Sequence, residues 1–550
     1  MRALHRAPKG GALACLLLGA LAAPACGLNQ EGVAPPKDRI AFPGSVKVDP
    51  DGRWLYVVNS NADLRFNAGT VVALDLDAAA ADRFAPDGKA NSTWKLCPRP
   101  DYVREDETSD PCCWDYLDHN ILDCDERRYI HTASTIEIGS FGAGSALQSF
   151  ASSLDQCPDM LPATPANRHE CHPTCEVEKA ATRGRLYIGV RGNSSLTYID
   201  TARDGGGFPL LTCPKSPSSG SAKDCAVKSA PPGSPSAPDM NQPTTVPDEP
   251  YALQLDVDRD LLYVGHLRGN VATANSGGIS IFDIANASKV DERSTPPTFI
   301  KPSGSVFPPD ANGNFGVTSL MLKGGRLYAG SRYTPMATGV AIAMPPLSCA
   351  TAPQWMDVAV VPTSETYVSP LFGTETRGIQ FLPRRQPEGA APTPERAFVL
   401  QRTPPALISF DAAMNEEPGV FGNFPSDVIE VCQAPTFLQK DRTPDEEAAG
   451  LDDALLYVTC FDQGQVYLID PRVPRLVGII DVGRGPAGLE FAPTLIKDAA
   501  TMQVTKKRRV AYVVGFGSNN VGVLDLEPGS ETQYHIIQRL GFPSVTPRLK

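Results

Sequence analysis

Histidine and tryptophan are both scarce in this chain, with seven and four copies among 550 residues. His5 falls in an N-terminal processing segment, so few imidazoles remain for general acid–base work or metal ligation. No GxSxG elbow, HExxH pair or phosphate-binding GxxxxGK[ST] loop occurs, which removes the common signatures of serine hydrolases, zinc peptidases and nucleotide-binding enzymes. No CxxCH motif is present for covalent haem. Positive charge is in deficit: 50 lysines and arginines face 62 aspartates and glutamates, a formal charge of −12. A polyanion such as nucleic acid is therefore an unfavourable partner. Beyond the N-terminus no run is long and apolar enough to span a bilayer as a helix. Neither a metal nor a cofactor is implied.

What is present begins with a processing signal. Arg2, His5, Arg6 and Lys9 form a basic region, and Gly11 to Ala23 is a short apolar stretch. It ends in Ala23-Pro24-Ala25-Cys26, where small residues suit a signal peptidase. The cysteine directly after them resembles a bacterial lipobox, although that pattern usually has Leu where Ala23 stands. The expectation is a signal peptide over 1–25, a linker over 26–38 and a lipid on Cys26. The chain is then exported and anchored in the bacterial cell envelope, at the outer membrane or in the periplasm, touching membrane only through that lipid; ordinary cleavage and free secretion is the alternative. Fourteen cysteines are present, and removing Cys15 and Cys26 leaves an even number, which an oxidising compartment pairs as disulfides.

A repeat runs through the rest. A turn, a Leu-Tyr or similar pair and an apolar strand recur at Leu55-Tyr56, Leu186-Tyr187, Leu262-Tyr263, Leu327-Tyr328, Ala397-Phe398, Leu456-Tyr457 and Ala511-Tyr512. A second strand usually follows and ends in Asp, at Asp75, Asp200, Asp283, Asp411, Asp470 and Asp525. Tyr187 to Asp200, Phe398 to Asp411, Tyr457 to Asp470 and Tyr512 to Asp525 are each 13 apart. These segments are short, rich in Val, Ile, Leu and Tyr, and bounded by Gly, Pro and Asp, as strands are. No single unit can bury its own apolar face, and radial repetition of four-stranded units solves that problem. The predicted fold is all-β: a seven-bladed β-propeller over 39–545, with cysteine-rich loop insertions at about 77–134, 151–183 and 202–247. Arg39-Ile-Ala-Phe-Pro43 and Ile536 to Pro543 are candidates to complete a shared closing blade.

The first unit, Val46-Lys-Val-Asp-Pro-Asp-Gly-Arg-Trp-Leu-Tyr-Val-Val-Asn59, closely resembles the YVTN β-propeller repeat. That family occurs in bacterial and archaeal surface proteins and is similar to the seven-bladed lactonase-type propellers. Tyr457-Val-Thr-Cys460 and Tyr512-Val-Val-Gly515 fit less fully, and units three to five diverge. The resemblance implies a rigid extracytoplasmic propeller, and no catalytic set of lactonase type matches residue by residue. The recurrent tryptophan motifs of quinoprotein propellers are absent.

With strands lettered a to d from the axis outwards, the d–a and b–c loops lie on one face and the a–b and c–d loops on the other. The insertions are expected on the a–b/c–d face, carrying Cys97, Cys112, Cys113, Cys124, Cys157, Cys171, Cys175, Cys213 and Cys225, with Cys349 on the same side. Cys213 and Cys225 are candidates to close a small loop. Cys432 at a d–a junction and Cys460 at the end of the next strand b share the opposite face, which predicts a disulfide between them. His169-Glu-Cys171-His172-Pro-Thr-Cys175 has zinc-type ligands, but the spacing is tight and disulfides are the preferred reading.

The same counting exposes a basic feature. Four residues past the strand-b aromatic stand Arg191, Arg332 and Arg402, and in unit three His266 and Arg268 flank that position. Arg377 and Arg484 lie near the starts of two strands a on the same face. Arginines grouped at one channel mouth suit bidentate capture of a carboxylate or phosphate. The competing reading pairs them with local acids such as Asp248, Glu249 and Glu375. The function expected is a binding or scaffold module for an envelope protein or polymer, or for a small anionic ligand. The alternative is a lactonase-like or other hydrolase acting on a small anionic substrate at the mouth.

Overall fold

Seven sheets follow one another along the chain, each with an antiparallel four-stranded core ordered a-b-c-d. A computed structural model describes residues 33–541 except the connecting segments 99–109, 151–182, 214–224, 226–243, 246–248, 271–277, 285–297, 301–313, 344–358, 383–395, 412–424 and 442–453, and isolated positions 258, 260, 324, 499 and 500. The innermost strands are Pro43–Val48, Gly142–Phe150, Pro250–Asp256, Val317–Lys323, Thr374–Leu382, Pro435–Lys440 and Pro486–Lys497. The all-β, seven-bladed expectation is met. The N-terminal segment, Cys26, Cys157, Cys349 and the 169–175 cluster lie outside the described residues.

Strand b explains the recurrent Leu-Tyr pair. Successive side chains point to opposite faces of a blade, so the Leu packs against one neighbouring blade and the Tyr against the other. Leu55, Leu186, Leu262 and Leu456 are fully buried, as are Tyr187, Tyr263 and Tyr457. Each buried side chain of this kind contributes about 1.5–3 kcal/mol. A buried hydroxyl needs a partner. Tyr56 donates to Asp49 Oδ2 at 2.6 Å, Tyr263 to Asp256 Oδ2 at 3.1 Å and Tyr187 to Gln148 Oε1 at 2.7 Å, in each case a residue of the adjoining strand a or its end. The Asp that ends strand c is also accounted for. Arg185, cross-strand from Asp200, holds it at 2.6 Å; Arg508 holds Asp525 at 2.5 Å; Arg396 and Asp411 are 3.6 Å apart. The constant 13-residue spacing reflects a constant b–c hairpin, since the aromatic at each start pairs with the residue eleven further on, as in Tyr187↔Tyr198 and Tyr512↔Val523.

Ring closure differs from the expectation of a shared blade. Strands over 43–138 complete blade one and strands over 486–540 complete blade seven, so each is built from its own stretch. The insertion of blade one supplies the clasp. Residues Leu76–Arg83 form a helix, capped by Asp75 accepting from Ala78 N at 3.0 Å. The chain then reaches the outer edge of blade seven, where Leu122–Cys124 pairs in parallel with Ile536–Leu540 and Cys112–Trp114 pairs outside it. Blade seven is therefore six strands wide. Cys112–Cys124 and Cys97–Cys113 staple this hairpin. Near the N-terminal start of blade one, Phe42 N donates to Asn519 Oδ1 at 2.7 Å, a second link between the first and last blades.

The cysteine placement is also corrected. The 202–247 segment does not simply follow strand c. Strand c runs Ser195–Arg203, strand d begins at Pro209–Thr212, and Thr244–Thr245 returns to pair with the start of strand c. The excursion therefore opens from within the outermost strand, at the blade rim. Cys213 and Cys225 are joined there and pack with Trp54 and Leu211 between blades one and two. Cys112 and Cys124 lie at the rim of blade seven, so the described insertion cysteines occupy outer edges rather than one flat face. Edge strands need cover, and these rims provide it. Cys432 and Cys460 are joined at the d–a/b–c end of blade six.

Candidate functional site

The d–a/b–c end of the channel is built from equivalent positions in successive blades. Immediately before the first paired residue of strand a stand Phe42, Phe141, Glu249, Gly316, Ala434 and Gly485, and blade five places Glu375 at the head of its strand a, between the paired residues Thr374 and Thr376. Six of the seven are left-handed, with φ between 48° at Phe42 and 65° at Gly485. The turn aims their carbonyls at the residue after strand b. Ser60 N donates to Phe42 O at 3.0 Å, Arg191 N to Phe141 O at 3.1 Å, Leu267 N to Glu249 O at 2.9 Å and Phe516 N to Gly485 O at 3.0 Å. A left-handed backbone costs a non-glycine residue about 1 kcal/mol or more, so glutamate here is held against its preference. Such outliers concentrate where a side chain must be presented.

Two of these positions gather the arginines. Glu375 meets three guanidinium groups: Arg377 Nη2 at 3.2 Å, Arg402 Nε at 3.5 Å and Arg332 Nε at 3.6 Å. Arg332 also reaches Glu249 Oε2 at 3.7 Å and donates from Nη1 to Leu267 O at 2.9 Å. Arg191 completes the chain, with Nη2 3.4 Å from Glu249 Oε2. Four guanidinium groups thus share two carboxylates, an excess of two positive charges on an otherwise acidic protein. Arg377 is the most enclosed, its side chain 8% exposed, and donates to Tyr251 Oη at 3.3 Å. The other three are about one-third exposed, so their ion pairs are individually weak and exchangeable.

Below this cluster a cavity of about 670 Å³ runs along the axis. All seven innermost strands line it, and Arg191, Arg377 and Tyr251 reach it from the charged side. The glycines of these strands permit close approach: a Cβ on Gly44 would stand 2.6 Å from the carbonyl oxygen of Gly142 in the next blade.

Of the six predicted ligand residues, Arg191, Arg332, Arg377 and Arg402 come together. His266 does not join them. It is 1% exposed inside blade three, with Nε2 2.8 Å from Ser280 Oγ. Arg484 sits on the far side of the mouth beside Gly485, its carbonyl accepting from Gly517 N at 3.1 Å. The competing pairing with local acids is present at Glu249 and Glu375, which engage all four arginines, while Asp248 lies outside the described residues. The aromatic residues Phe42, Phe141, Phe461 and Phe516 escaped the count of basic positions. The signal was available, because Phe461 and Phe516 stand four residues past Tyr457 and Tyr512, where other blades have arginine.

No protein-family model matches the chain, and no curated protein sequence does. Solved structures do resemble it in shape. A protein from Bacteroides uniformis provisionally named a 6-phosphogluconolactonase aligns at 11% identity and a TM-score of 0.40, over 80% of this chain and 86% of that one. Hydrazine synthase of Kuenenia stuttgartiensis aligns at 12% identity and 0.38, over 92% and 99%. The dihydro-heme d1 dehydrogenase NirN aligns at 12% and 0.36, over 92% and 67%. Likeness at this distance says nothing about activity.

Proposed function

We propose that the chain is an exported, lipid-anchored β-propeller of YVTN type that binds a small anionic ligand at the d–a/b–c mouth of its channel. The observation that carries this reading is the sharing of two carboxylates by Arg191, Arg332, Arg377 and Arg402 above an axial cavity. Guanidinium groups already gathered and oriented lose little freedom on meeting an anion, and their planar forks suit carboxylate geometry. Binding is favoured over hydrolysis because both mouth carboxylates are engaged by arginines and His266 is turned into its blade. An envelope polymer is a weaker fit than a small anion, since Arg191 and Arg377 face a cavity of small-molecule size. The basic and apolar N-terminal pattern that ends in Ala23-Pro24-Ala25-Cys26 supports export, in keeping with the disulfides of the described blades.

The test is a thermal-shift screen of small anions on the purified chain and on an Arg191→Ala/Arg377→Ala variant. Stabilisation by at least one carboxylate or phosphate, lost in the variant, is the expected result. A variant that responds to every anion as the wild type does would sink the reading. Assay of the same set as lactones separates binding from ring opening.

A further inference from the structure

The mouth is divided in two. The charged side occupies blades two to five, through Arg191, Glu249, Arg332 and Glu375 with its neighbours Arg377 and Arg402. At the same structural positions, blades six, seven, one and two carry Phe461, Phe516, Phe42 and Phe141. These four blades are consecutive around the ring, and Phe461, Phe516 and Phe42 pack ring to ring along it, with Phe141 in the next blade. The Phe461 and Phe516 rings are 5.8 Å apart, and the Phe516 and Phe42 rings 5.6 Å, spacings typical of packed aromatic pairs. Phe141, Phe461 and Phe516 line the same cavity that Arg191 and Arg377 line from the other side. On the aromatic side the adjoining channel positions are small, at Gly44, Ala143, Thr436 and Ala487, so little stands between the rings and the cavity. On the charged side the equivalent positions of blades three and five hold Tyr251 and Arg377.

We propose, resting on the anion-binding reading above, that the ligand class is aromatic carboxylates. The carboxylate sits on Arg191 and Arg377, and the ring lies against Phe141, Phe461 and Phe516. The two halves of the mouth select against the alternatives. A polyhydroxylated anion such as a sugar acid would set hydroxyls against the phenylalanine rings, which offer them no hydrogen bond and gain no apolar burial from them. An uncharged arene would gain the arc but leave the arginines unanswered. A cavity of about 670 Å³ admits a two-ring ligand.

The experiment is calorimetric titration of the full chain with 2-naphthoate, acetate and gluconate, in the wild type and in Phe461→Ala/Phe516→Ala. Wild type is expected to bind 2-naphthoate about 30-fold more tightly than acetate, from burial of the ring against the arc. The double variant is expected to lose most of that preference while its acetate affinity stays unchanged. Phe461→Leu, which keeps most of the volume, serves if the double variant is unfolded, and it should lose part of the preference. Gluconate binding as tightly as 2-naphthoate, or a preference that survives the substitutions, overturns the aromatic assignment and leaves anion binding standing. Failure of all three anions to bind overturns both.

Discussion

Arg539 of the last strand holds Asp123 of the first blade's insertion, Nη1 lying 3.1 Å from Asp123 Oδ1. The same nitrogen is 3.1 Å from Asp115 Oδ2. One guanidinium therefore serves two carboxylates at the seam where the ring closes. The flanking strands of the insertion are only three residues long, so backbone pairing alone would hold this seam weakly. The ion cluster, the two disulfides of the hairpin and Arg83 Nε, which donates to Ile537 O at 2.8 Å, supply the rest.

Sharing one arginine makes the seam sensitive to pH. Burial pushes Asp123 up to about 7, against the lowering pull of Arg539 and with the added repulsion of Asp115. Asp115 goes the other way: burial raises it, but the backbone N–H groups of Asp118 and Leu117 together with Arg539 outweigh that. The proton thus resides on Asp123. Its folded value lies above the unfolded one, so its contribution is complete below pH of about 4 and is lost as pH rises through about 7. Between pH 6 and pH 8 the loss amounts to about 1 kcal/mol. Asp49, pushed up to about 6 by burial against the pull of Arg203, adds a smaller loss of the same sign. Asp123→Asn keeps the shape and cannot ionise, so it should be more stable than wild type at pH 8 and show a flatter slope. Urea unfolding at the two pH values checks this; parallel losses in both proteins would exclude Asp123 as the titrating group.

The blade number is readable in the sequence because it depends on local features. Leu-Tyr in strand b and the terminal Asp of strand c are set by one hairpin, and the hairpin repeats. Cys432 and Cys460 can be placed on one face by the same lettering of strands. The closure is not readable that way. Leu122–Cys124 meets Ile536–Leu540 across more than four hundred residues, and three-residue strands carry almost no pattern. The charged half of the mouth emerges from counting four residues past each aromatic. Its aromatic half is encoded at the same offset, and a search for one chemical type passes over Phe461 and Phe516. His266 fits the count within one residue, but strand alternation turns it inward to Ser280.

The left-handed positions offer a test of the ring geometry itself. Ala434 has φ of 50°, where Gly485 in the next blade uses glycine at 65°. Alanine at such a position carries a steric cost that exceeds the entropy it saves in the unfolded chain. Ala434→Gly should therefore stabilise the protein by about 1 kcal/mol, visible as a raised urea midpoint with unchanged slope. Destabilisation would mean that Ala434 is relaxed and the shared turn is not strained.

Glu375 separates charge from positioning at the mouth. It touches Arg332, Arg377 and Arg402, so it both offsets their charge and holds them in place. Glu375→Gln preserves size and some hydrogen bonding and raises the excess of positive charge from two to three. One additional charge about 8 Å from a bound anion, in partly solvated surroundings, adds about 1 kcal/mol of attraction. Anion affinity should thus rise about fivefold at low ionic strength, and the gain should shrink as added salt shortens the Debye length below that separation. Titration of 2-naphthoate at 20 mM and 500 mM salt, values of order set by that length, reads both effects. An affinity that falls at both salt concentrations would show that the orientation Glu375 imposes on the three arginines outweighs the charge it cancels. The carboxylate would then be a positioning residue of the site and not its counter-charge.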